Sequence, residues 1–147
     1  MAGSLAIALD LDNVLADTRP LWDAWLEDAA RRARVELAVP ADREAAAAVL
    51  DEALGDWRPL LARFAADRAP LWIRPRADTN ASLRRLRATG ARIGAFSDAP
   101  RELVDIALAH AGATREIEVV GTLAEVCTEL GADTVVVKSR RQLADLR

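Results

Sequence analysis

A chain of 147 residues has room for one domain with a buried core, or one domain carrying a modest insertion, and excludes two large independent domains. Hydrophobic residues make up 52% and charged residues 29%, too apolar a balance for disorder, and the net charge of -3 supplies no general attraction to nucleic acid or to an anionic membrane. The single cysteine, Cys127, excludes an internal disulfide and suits a reducing cytoplasm, with a small apolar core position as its expected role. Asp10 and Asp12 interrupt the first apolar stretch almost at once, so neither a signal peptide nor a membrane span is expected.

In chain order, Leu5-Ala-Ile-Ala-Leu9 is a short apolar run ending in acids, the pattern of a buried parallel strand that delivers polar side chains at its C-terminal edge. Leu21, Trp22, Trp25, Leu26 and Ala29 recur at helical spacing and predict a helix from Thr18 to about Val35, with Pro20 in its first turn. A second helix is predicted from about Asp42 through Leu54, broken by Gly55, and a third from Trp57 to Ala66. Pro70 and Pro75 bracket a connector, and Asn80 to Arg87 reads as a helix closed by Gly90. Strands are then predicted at Arg92–Phe96, Ile117–Val120 and Thr134–Val137, separated by helices at Arg101–Ala111 and Leu123–Leu130. This alternation predicts an α/β fold with a parallel sheet and right-handed crossovers, its core formed by residues 1–17 and 75–147 and a helical insertion by residues 18–74.

The chemistry gathers at strand ends. Side chains alternate along a strand with period two, so Asp10 and Asp12 are expected on one side, where they can share a divalent cation or divide labour as nucleophile and general acid. Ser97-Asp98 follows the second strand directly. The segment Ala8-Leu-Asp10-Leu-Asp12-Asn-Val-Leu-Ala-Asp17-Thr18 resembles the first motif of haloacid-dehalogenase-like (HAD-like) phosphatases, and the helix ending in Gly90, the strand and terminal Ser97 resemble the second. The resemblance implies a Rossmann-like three-layer parallel sheet with a small helical cap insertion. It implies that Asp10 attacks phosphorus, that Asp12 protonates the leaving oxygen and then activates water, and that Ser97 and the backbone N–H of Asp98 bind phosphate. It also implies magnesium (Mg2+) near Asp10 and Asp12, and a small phosphorylated molecule as ligand.

Two features of that family are absent. No lysine stands between Glu116 and Thr134, where the third motif places one, and the fourth strand ends in Lys138-Ser139-Arg140-Arg141 in place of its acids, with Asp145 displaced. Lys138, the only lysine, is therefore expected to reach Asp10 and Asp12, or to contact phosphate, with a solvated loop residue turned outward as the alternative, and Mg2+ is expected to bind weakly. The reading that follows is a HAD-like phosphohydrolase-type protein with a degenerate site, weak or no phosphatase activity and a binding or regulatory role, compatible with a homodimer or a protein partner. The alternative is an active phosphatase of a small phosphorylated metabolite with Asp10 as nucleophile. A receiver-like domain also uses strand-end acids, a hydroxyl and a lysine, but the long insertion after the first strand does not suit it. His110 is expected as a packed core histidine, Asp17 as a helix-start acid or a group facing the insertion, and most of the tryptophans as the core of the inserted helices. Arg140 and Arg141 are expected as solvated charges or as an anion-attracting edge of the site.

Overall fold

Short runs rich in alanine, valine and isoleucine form the strands Ala6–Asp10 (β1), Arg92–Phe96 (β2), Val119–Gly121 (β3) and Val135–Val137 (β4). The computed structural model describes residues 5–146, and within them these strands make a four-stranded sheet of order β3-β2-β1-β4 in which every pairing is parallel. Ala8 pairs in register with Gly94 of β2 and with Val136 of β4, so the first strand lies at the centre.

The period-two alternation divides the sheet's side chains between two cores. Ile7, Leu9, Ile93, Ala95 and Val137 enter the larger cluster, while Ala8 packs with Val126 and Leu130 of helix Leu123–Leu130 (α6 in chain order). Gly94 sets how closely α6 approaches: a Cβ there would stand 2.6 Å from Val126 Cγ1 and 3.2 Å from the Val119 carbonyl oxygen. Cys127 is partly buried against this smaller cluster.

Helices Arg19–Ala33 (α1), Arg43–Leu54 (α2) and Arg58–Trp72 (α3) occupy the interval between β1 and β2, followed by Ala77–Ala88 (α4). Helix Arg101–Ala111 (α5) follows β2, and Arg140–Ala144 (α7) follows β4. Trp22, Trp25 and Trp57 pack as a triad with ring centroids 5.5 to 6.2 Å apart. The triad belongs to the same contiguous cluster as Ile93 and Leu103, so the inserted helices rest on the sheet's own core. No helix among the described residues is long and apolar enough to cross a membrane.

Four local expectations change. Helix α3 continues through Pro70 to Trp72 instead of stopping at Ala66. Pro70 and Ala66 are both exposed, so the carbonyl that loses its intrahelical donor can be hydrated. The third strand begins at Val119, two residues later than expected, and α7 was not expected at all. His110 is half-buried in the last turn of α5, outside the packed core.

Candidate functional site

The site lies where β1 and β2 end. Strand β1 stops at Asp10, and Leu11–Leu15 form one turn of π-helix. Asp12 is therefore placed by this turn, and strand alternation is not what brings it to the side of Asp10. Both carboxylates line a cavity of about 660 Å3 together with Asn13, Arg43, Ser97 and Asp98.

Asp12 is only 8% exposed and fully bonded. Its Oδ1 accepts from the backbone N–H of Thr18 at 2.8 Å and from the Thr18 hydroxyl at 2.6 Å. Its Oδ2 accepts from Arg43 Nη2 at 2.6 Å and from Ser97 Oγ at 3.2 Å. Asp10 is half-buried and less committed, its Oδ2 accepting from Asn13 Nδ2 at 2.7 Å.

Arg43 is the organising cation of the site. It opens α2, with the Asp42 side chain accepting from the N–H of Glu44 as the helix cap. Its side chain, 3% exposed, reaches Asp12, donates from Nη1 to Thr18 Oγ1 at 2.6 Å and from Nε to Asp98 Oδ1 at 3.0 Å, and has Nη2 3.4 Å from Ser97 Oγ. The Arg43 backbone N–H also donates to Asp98 Oδ2 at 2.9 Å, so Asp98 grips both the main chain and the side chain of one residue. Burial pushes the Asp98 carboxyl up, but the Arg43 backbone N–H and guanidinium outweigh it and hold the group below its ordinary value. Every buried side-chain nitrogen and oxygen among the described residues has a partner, so the network closes on itself.

Asp17 is engaged separately, accepting from the backbone N–H of Arg19 at 3.1 Å and from its Nε at 2.8 Å. Burial raises its carboxyl, and the bonds and charge of Arg19 more than offset this, leaving it lowered.

Four of the expected residues, Asp10, Asp12, Ser97 and Asp98, thus meet in one cavity. Lys138 does not join them: it is exposed and makes no ion pair within 4.0 Å among the described residues. Its backbone N–H donates to Gln142 Oε1 at 2.9 Å, which turns the chain away as soon as β4 ends. The cation beside Asp12 is Arg43, which the sequence reading missed. One signal pointed to it, because a positive side chain at the first position of a helix, immediately after a capping aspartate, opposes the helix dipole unless anions compensate it.

No protein-family model matches the chain, and no curated protein matches it either.

Proposed function

We propose that the chain is a HAD-like protein of phosphohydrolase type with a degenerate active site, one that binds a small phosphorylated anion with little or no turnover. The fold supports this reading through its all-parallel sheet, the helices packed on it, and a cavity beyond the carboxyl ends of the strands, where such sheets place ligands. The observation that carries it is the Arg43 guanidinium held among Asp12, Asp98, Thr18 and Ser97. General acid catalysis needs a carboxyl free to exchange a proton with the leaving group, and both oxygens of Asp12 are already acceptors inside the protein. Ser97 Oγ, the expected phosphate donor, instead donates to Asp12 and accepts from the N–H of Ala99.

Magnesium fits this donor set poorly. Asp12 and Asp98 have their oxygens engaged, and the buried positive charge of Arg43 stands beside them, which leaves Asp10 Oδ1 as the free oxygen of the expected pair. The cavity wall also carries Asp23 and Glu44 beside Asp10, Asp12 and Asp98, and Arg43 is already engaged, so the donors left for an anion are those of Arg19 and Asn13.

One observation favours the alternative of an active phosphatase: Asp10 lines the cavity with Oδ1 unbonded, as a nucleophile requires. Hydrolysis of p-nitrophenyl phosphate by the full chain, with and without Mg2+, separates the two. Turnover well below about 1 s⁻¹, together with saturable binding of phosphate, is the expected result. Turnover at or above that rate, abolished in Asp10→Asn, would establish the active enzyme, and absence of both turnover and phosphate binding would remove both readings.

A further inference from the structure

A second cavity, of about 610 Å3, lies on the far side of the π turn, between Ala16 and the end of α3, and shares no lining residue with the carboxylate cavity. Arg74, Arg76 and Arg140 converge on it. Among the described residues none of the three has a carboxylate within 4.0 Å. The one acid in the lining, Asp17, is already held by Arg19 at 2.8 Å. Arg140 is fixed in place by a bond from its Nε to the Val14 carbonyl oxygen at 3.2 Å. Burial, and after it the charge of neighbouring Arg76, hold Arg140 below the ordinary arginine value, so like charges press on one another here without relief.

Trp72 supplies the other half of the site. The three remaining tryptophans are at most 4% exposed, whereas Trp72 is 44% exposed and lines this cavity. Guanidinium groups without acids recognise phosphate through paired N–H donors, and an accessible indole offers a face for a planar ring. The volume is that of a small-molecule pocket.

We propose that this cleft is a binding site for a small phosphate ester carrying a flat ring, the chemistry of a nucleoside monophosphate. The site is independent of the reading given for the carboxylate cavity.

The test is calorimetric titration of the full chain with adenosine 5′-monophosphate and with inorganic phosphate, alongside tryptophan fluorescence, in which Trp72 is the exposed reporter. The nucleotide should bind at least about tenfold tighter than phosphate and change the fluorescence. Arg74→Ala combined with Arg76→Ala, both exposed positions, should weaken the nucleotide by roughly tenfold or more, the loss expected for a charged hydrogen bond. Trp72→Ala should reduce the nucleotide to the affinity of phosphate, while Arg115→Ala, an exposed arginine outside the lining of both cavities, should leave the nucleotide affinity unchanged. The proposal is overturned by equal affinity for the two ligands, by no saturable nucleotide binding up to about 1 mM, or by nucleotide binding that responds to Asp10→Asn and not to the arginine pair.

Discussion

Arg43 and Asp12 are 31 residues apart in sequence and meet at 2.6 Å between Nη2 and Oδ2, with 3% and 8% of their side chains exposed. Removing two charges from water is costly, and the cost is met only where the remaining donors and acceptors are also satisfied. Here they are: Thr18 occupies the second oxygen of Asp12, and Asp98 and Thr18 take the other guanidinium nitrogens. The pair therefore ties the start of α2 to the turn that follows β1, and one set of contacts serves both the fold and the site.

Replacing Arg43 by Met should strand Asp12 and Asp98 without their cation. Breaking a buried pair costs about 3–5 kcal/mol, and the Thr18 bonds that survive place the expected loss near the lower figure. Urea denaturation of Arg43→Met, Asp12→Asn and the double variant should give a coupling energy of about 1 kcal/mol or more, the double variant being less damaged than the summed singles. Additive losses would show that the two groups do not depend on each other.

Asp98 makes stability depend on acid. Its carboxyl lies below the ordinary value of 3.8 in the fold, so the folded state favours the charged form. That contribution is complete above the unfolded value and is lost as pH falls through the lowered folded value. Asp17 acts in the same direction through Arg19. Urea midpoints should therefore be flat near neutrality and fall in the acid range below 3.8. In Asp98→Asn the neutral-pH midpoint should be lower and the acid decline shallower, so that the two curves converge; parallel curves would remove Asp98 as a source of the dependence.

The sheet was legible because its signals are local. Arg92–Phe96, Arg101–Ala111 and Leu123–Leu130 have the boundaries that their apolar runs and the punctuation of Gly90, Pro100, Gly112 and Gly131 suggest. Asp10, Asp12, Ser97 and Asp98 were legible as candidates for the same reason, since each stands at or just beyond a strand end. Arg43 was not, because its role exists only once α2 folds back over β1 and β2 and brings four acceptor side chains to one guanidinium. Proline rules stopped α3 too early, because they carry no information about whether the orphaned carbonyl faces water.

Gly94 should tolerate no side chain. A Cβ there would sit 2.6 Å from Val126 Cγ1 and 3.2 Å from the backbone oxygen of Val119, so either α6 or β3 must yield. Gly94→Ala is expected to cost about 1–3 kcal/mol in urea denaturation, the usual price of overpacking. Adding Val126→Ala should return part of that loss by clearing the nearer contact. A single Gly94→Ala variant as stable as the wild type would mean that α6 is not packed tightly on β2.

The last prediction separates the two cations that could stand near the carboxylates. Leu9 pairs in register with Val137, so Lys138 leaves the sheet at the level of Asp10. The strand stops there because Gln142 reaches back from α7: its Oε1 accepts from the Lys138 N–H at 2.9 Å and its Nε2 donates to the Val136 carbonyl oxygen at 2.8 Å. This two-way bond closes the end of β4 and leaves the Lys138 side chain in solvent. Lys138→Ala should accordingly shift stability by no more than about 0.5 kcal/mol, as for an ordinary surface change, and should leave Mg2+ affinity unaltered. Gln142→Ala loses both backbone bonds and should cost about 1–3 kcal/mol, while Arg43→Met, which removes the buried charge, should raise Mg2+ affinity in calorimetric titration. If Lys138→Ala instead destabilises the chain by several kcal/mol or strengthens Mg2+ binding, the ammonium is the group paired with Asp10 and Asp12, and the assignment of that role to Arg43 alone fails.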